Sequence, residues 1–287
     1  MFAKSWATGV GGRRARSGKS LDAPGVPLQT GLMPHPRLEV LRNVPQGPTS
    51  RPPLLFVHGL GHGAWCWEHW MNAAAEAGYP GHALSLRGHG GSGGNLRRAT
   101  MGDYVTDVLR TAAELPAPSV LVGHSVGGLV AQMAMARGAF RAVVLVAPVP
   151  PHPAVGSLAL VARQHPTDAL RILALRPLPL RPSYLFAGLD SATARAYTDR
   201  TGAESPLVQY QLTLHLPPAL PRTPIPMLVL GTPEDRLVPM GDVRRTARRY
   251  DAHLEEFPGM GHDLMLDAGW NQPFQAMRRW LDALEDD

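Results

Sequence analysis

The chain has one cysteine, Cys66, in 287 residues, which excludes an internal disulfide framework and any zinc site built on several cysteines. A lone cysteine of this kind reads as a small buried hydrophobe rather than a reactive thiol. No apolar run approaches the roughly 18–20 residues needed to cross a bilayer. Walker loops and dinucleotide fingerprints are missing, as is the H-E-x-x-H spacing of a metallohydrolase, so neither cofactor nor metal is expected. Charged residues are sparse too, at 18% against 44% hydrophobic. The net charge of +5 does not point to nucleic acid, because much of it is local. Lys4, Arg13, Arg14, Arg16 and Lys19 face a single acid, Asp22, at the start of the chain. Later arginines such as Arg244, Arg245, Arg248 and Arg249 fall on one expected helix as a solvated face, without the aromatic pattern of a nucleic-acid module.

Residues 1–35 are rich in Gly, Ser, Arg and Pro and lack apolar periodicity, so a disordered basic leader is expected there. Arg13-Arg14 resembles a twin-arginine signal only superficially, since no sufficient apolar stretch follows before Pro24 and Pro27. Met33 as the true start and an organellar transit peptide are the other readings of this segment. A soluble cytoplasmic protein is expected.

From residue 36 to 148, short apolar runs alternate with helical spacing. Strands are expected at Leu38–Val44, Leu54–Val57, His82–Leu86, Val120–Val122 and Ala142–Val146, and helices at Trp65–Ala77 and Asp103–Leu115. Such alternation implies an α/β fold: a mostly parallel central sheet flanked by helices, with ligands bound beyond the carboxyl ends of the strands. From 149 to 224 prolines crowd and strand-like runs disappear. Candidate helices at 154–165, 167–175, 191–200 and 207–216 suggest an inserted helical cap. Alternation resumes over 225–287, with strands at Met227–Leu230 and Leu254–Phe257 and helices at Gly241–Tyr250 and Gln272–Leu284.

The first half is organised around Ser119-Val120-Leu121-Val122-Gly123-His124-Ser125-Val126-Gly127-Gly128-Leu129. A β-rich run stops at a glycine, and helical spacing starts straight after Ser125, which is the pattern of a G-x-S-x-G nucleophile elbow. Small neighbours are required because the strained turn brings strand and helix close together. The helix start also directs free N–H groups at the place where a reacting carbonyl would sit.

A serine hydroxyl is a poor nucleophile at neutral pH and requires a base that is itself oriented by an acid. His262 follows the last expected strand, and Asp235 follows the one before it. Glu234 is a rival carboxylate, but the spacing to Val238-Pro239 favours Asp235. The resulting chain order is Ser, Asp, His.

Over residues 38–285 the chain resembles the serine-nucleophile, esterase- and lipase-like branch of the α/β-hydrolase fold superfamily. The resemblance is carried by His58-Gly59, Arg87-Gly88-His89-Gly90-x-Ser92, the elbow, Gly231…Asp235…Val238-Pro239 and Gly261-His262. It implies Ser125 as nucleophile, His262 as general base and acid, Asp235 as orienting carboxylate, and the Leu60 and Val126 N–H groups as oxyanion hole. His58, His89 and His124 are assigned to loop structure, while His62 and His124 are also candidates for the substrate pocket. The run from His58 through Trp65-Cys66-Trp67 is similar to the methylesterase and hydroxynitrile-lyase branch. The expected activity is cofactor-free hydrolysis of a small apolar carboxylic ester, with lactones and thioesters in the same class. Carbon–carbon hydrolysis, acyl transfer to an alcohol and a non-catalytic ligand-binding role are the alternatives.

Overall fold

The computed structural model describes residues 35–286. The expected leader, with its signal-like and alternative-start readings, lies outside the described residues except for its last position, His35.

Seven strands form one sheet: β1 Glu39–Asn43, β2 Leu54–Val57, β3 Gly81–Ser85, β4 Val120–His124, β5 Ala142–Val146, β6 Met227–Gly231 and β7 His253–Glu256. Their order is β1-β3-β2-β4-β5-β6-β7. β1 runs antiparallel to β3 at one edge, and every other pairing is parallel. The central strands read as unbroken apolar runs because both sheet faces are covered. Leu54 and Phe56 pack into one core with Trp67, Trp70 and Val122. Leu55 and Val57 point the other way, into a second core with Tyr104, Leu121 and Leu129.

The flanking helices include α1 Glu68–Glu76, α2 Met101–Ala113 and α3 Val126–Ala134. A 3₁₀ turn at Ala64–Trp67 takes the first part of the helix expected from Trp65. α2 begins two residues earlier than its apolar spacing suggests, because Thr100 closes a capping box with Asp103. Five helices lie between β5 and β6: α4 Val155–Gln164, α5 Pro166–Leu173, α6 Pro182–Leu185, α7 Ser191–Thr198 and α8 Pro206–Leu214. Only α6 was not anticipated, since four residues are too few for a periodic signal. α9 Met240–Tyr250 and α10 Asn271–Asp286 complete the chain. No helix among the described residues is long and apolar enough to cross a membrane.

Because β2, β4, β6 and β7 run in the same direction, the loops after them gather along one edge of the sheet. Close packing fixes the loop after β4. A Cβ at Gly127 would overlap the Val57 carbonyl oxygen and stand 2.5 Å from that of His58, and one at Gly123 would overlap the Gly127 carbonyl. Gly127→Ala should therefore lower stability by about 1–3 kcal/mol, seen as a lower urea midpoint. Gly241→Ala is the control, since nothing lies within 4 Å of its added Cβ. Equal midpoints for the two variants would mean that the turn after β4 is not close-packed.

Candidate active site

Ser125 joins β4 to α3 with φ 52° and ψ −117°, a left-handed backbone that costs a non-glycine residue roughly 1–3 kcal/mol. Surrounding hydrogen bonds hold it there. Its N–H donates to the Val146 carbonyl at 3.0 Å, and its own carbonyl accepts from Gly128 at 3.0 Å, Leu129 at 3.3 Å and Val149 at 3.0 Å. The side chain lines an apolar cavity of about 70 Å³.

His262 comes from the loop after β7 and Asp235 from the loop after β6. Nδ1 of the histidine donates to Asp235 Oδ2 at 2.7 Å, with both side chains buried. The second carboxylate oxygen accepts from the N–H groups of Leu237 at 2.7 Å and Val238 at 2.8 Å, so the acid is fixed in its own loop. Burial opposes a charge on His262, but Asp235 outweighs it and, with help from Asp263, raises the imidazole above its ordinary range. Glu234 turns instead to Gly259 N–H and the Thr232 hydroxyl. Ser125 Oγ and His262 are not hydrogen-bonded in this structure. His124, next to the serine, has its ring centroid 4.7 Å from that of His262.

The loop after β2 presses on the serine: a Cβ at Gly59 would stand 2.9 Å from Ser125 Cβ. Leu60 N–H, which follows Gly59, and Val126 N–H, the first of α3, have no protein acceptor among the described residues. The peptide that carries Leu60 N–H is held at its other end, where Gly59 O accepts from His58 Nδ1 at 2.8 Å. His58 Nε2 accepts from Leu86 N–H at 3.0 Å, so this ring is neutral. Burial, reinforced by nearby His89, keeps its pKa well below the usual histidine value.

His62 and His124 do not line the cavity, whose walls come from residues such as Leu60, Leu158, Val161, Leu212 and Val238. Both are buried. His62 Nε2 donates to Asp263 Oδ2 at 3.0 Å while its ring stacks on Trp65. Burial, then the neighbouring His262, pushes His124 down to about 3, so it stays uncharged. Donor atoms of His124, His262 and Asp263 lie within 4.8 Å of one another, the one such set among the described residues. One atom of each already has a protein partner: His124 Nε2 the His262 carbonyl, His262 Nδ1 Asp235, and Asp263 Oδ2 His62.

Three buried acids escaped the sequence reading. Asp263 follows His262 directly. Asp267 accepts from the N–H groups of Gly261 at 2.6 Å, Ala187 at 2.9 Å and Gly188 at 3.0 Å, tying the His262 loop to the helical insertion. Glu204 reaches from the insertion to the loop after β2. An acid with no motif around it looks like any surface carboxylate until its burial is known.

Among known proteins, the chain is 40% identical over 86 residues to "Probable esterase PIR7A" of Oryza sativa subsp. indica, covering 29% of this chain and 33% of that protein. It is 35% identical over 86 residues to "Methyl jasmonate esterase 1" of Vitis vinifera, again covering 29% of this chain and 33% of the relative. The matches thus span about a third of the length of these relatives. Among solved structures, an esterase from Exiguobacterium antarcticum superposes with a TM-score of 0.66 at 16% identity, covering 86% of this chain and 96% of that one, a likeness of fold alone. Residues 54–277 match the alpha/beta hydrolase family, a span that holds β2 to β7, the strained serine and the His262 loop. The chain belongs to the alpha/beta hydrolase family.

Proposed function

We propose that the chain is a serine hydrolase cleaving a carboxylic ester through an acyl-enzyme, with Ser125 as nucleophile, His262 as base and acid, and Asp235 as orienting carboxylate. The observation that carries this reading is the buried 2.7 Å His262–Asp235 pair beside a strained serine at the foot of an apolar cavity. As substrate approaches, His262 Nε2 closes on Ser125 Oγ, since catalytic hydrogen bonds tighten on binding. His262 takes the hydroxyl proton as Oγ attacks the ester carbonyl. Leu60 and Val126 N–H groups receive the negative charge that develops on the carbonyl oxygen. Imidazolium then protonates the departing alcohol, and water attacks the acyl-enzyme by the reverse route.

The helical insertion acts as a cap in this reading, because α4, α5 and α8 contribute Leu158, Ile172 and Leu212 to the cavity wall. The small apolar cavity favours a short, uncharged acyl group, and the esterase names of the rice and grape relatives support an ester over other bonds. Ser125→Ala should reduce turnover of p-nitrophenyl acetate by about 10⁵-fold and abolish fluorophosphonate labelling, with thermal melting unchanged. An active alanine variant would overturn the assignment. A parent that binds esters without turnover would favour the ligand-binding alternative.

The pH dependence follows from the sign of the His262 shift. Attack requires the neutral ring, so kcat/KM should fall as pH drops, with a midpoint above the ordinary 6.5. Asp235→Asn removes the charge that holds the proton on. It should move this acid limb to lower pH and reduce kcat by about 10⁴-fold through loss of the correct tautomer. A limb that stays in place in the asparagine variant would separate Asp235 from the base.

A further inference from the structure

The Leu60–Gly61 peptide is gripped from both ends by side chains remote in sequence. On one side His62 Nδ1 donates to Leu60 O at 2.7 Å, and His62 Nε2 donates to Asp263 Oδ2 at 3.0 Å. Burial opposes the charge on Asp263, but His62 outweighs it and holds the carboxyl below its usual range, so neither acceptor has a proton to give and His62 donates from both ring nitrogens. The ion pair explains how it persists: burial opposes the charge, yet Asp263 raises the imidazole above its ordinary range. On the other side Gly61 N–H donates to Glu204 Oε2 at 3.3 Å.

Glu204 is itself immobilised. Oε1 accepts from Tyr104 hydroxyl at 2.6 Å and from Ser205 N–H at 2.7 Å, and His89 Nε2 stands 3.4 Å from Oε2. The neighbouring backbone joins in, with Gly202 N–H donating to Gly61 O at 2.6 Å. Gly61 adopts φ 64° and a Cβ there would stand 2.6 Å from Gly202 O, so the insertion lies directly on the turn that follows Leu60.

We propose that Glu204 and the Asp263–His62 pair are positioning residues that clamp the Leu60–Gly61 peptide from opposite sides and thereby aim Leu60 N–H into the oxyanion hole. None of the three side chains lines the cavity. The proposal rests on the serine-esterase reading above, and it makes the cap a part of the catalytic geometry rather than only a wall of the cavity. A peptide fixed at both its oxygen and its hydrogen cannot rotate, so the N–H one residue earlier is preorganised before charge develops.

The test uses the full chain with p-nitrophenyl acetate as substrate, an alkyl trifluoromethyl ketone as oxyanion-forming inhibitor, and fluorophosphonate titration to count competent sites. Ser125-dependent turnover by the parent is established first; without it the esterase reading fails and this proposal with it. Glu204→Ala and His62→Phe should each lower kcat per titrated site by about 10²-fold, toward the cost of losing one oxyanion donor. KM should stay within about twofold, and the ketone should weaken by a factor similar to the loss in kcat, because only the tetrahedral state uses the N–H. Glu204→Gln, which keeps one acceptor oxygen, should recover part of the loss. The double variant should lose little more than either single one, since both grip the same peptide. Unchanged kcat per titrated site in an active parent background would overturn the proposal, as would a loss shared equally by KM or fully additive losses. A variant that merely unfolds appears as fewer titrated sites, and Glu204→Gln then decides: full kcat per site and unchanged ketone affinity overturn the clamp, and a partial loss of both supports it.

Discussion

The close approach of the β4–α3 turn to the carbonyl oxygens that end β2 is the constraint on which the rest of the site depends. Gly123 and Gly127 have no room for a Cβ, so strand and helix can meet there only through glycine. Once they meet, Ser125 must take a left-handed backbone at the apex, and the first N–H of α3 is left without an intrahelical partner. Gly59 is then forced against the serine from the opposite side, which brings Leu60 N–H to the same place. One steric fact thus brings Ser125, Leu60 and Val126 together at the end of the sheet.

Four buried histidines surround this turn, and hydrogen-bond chemistry decides the charge on each. His58 faces a donor at one nitrogen and an acceptor at the other, so a neutral ring satisfies it and burial holds it there. His124 has a carbonyl partner and a raised neighbour, His262, and is likewise neutral. His62 and His262 each meet a carboxylate, where pairing offsets the cost of burying charge. The neutral His124 ring packs against both paired ones, its centroid 6.1 Å from that of His62 and 4.7 Å from that of His262. Asp263 influences His62 and His262 at once, which links the loop after β2 to the loop carrying His262.

Strands were legible in the sequence wherever an apolar run ended at a glycine or proline. Leu54–Val57 and Ala142–Val146 fall where they were expected, because a strand covered on both faces must be apolar throughout. Helix ends were less legible, since caps and 3₁₀ turns such as Ala64–Trp67 depend on local hydrogen bonds rather than periodicity. Short α6 left no trace. At the site, motif residues Ser125 and His262 stood out, whereas Glu204 and Asp267 did not: Asp267 is held by backbone N–H groups that any residue supplies, and Glu204 by a tyrosine 100 residues away and backbone N–H groups.

Residue types and spacing alone determined the α/β class, the elbow and the order of serine, acid and histidine, since each follows from local sterics or from periodicity along a few residues. The spacing to Val238-Pro239 already favoured Asp235 over Glu234, but only the tertiary structure decided that His62 turns away from the cavity to a partner 201 residues distant and that Glu204 crosses 143 residues to reach Gly61. Those outcomes depend on how the sheet and the helical insertion bring separated loops together. Burial then selects partners by geometry and desolvation, and neither is written in the local sequence.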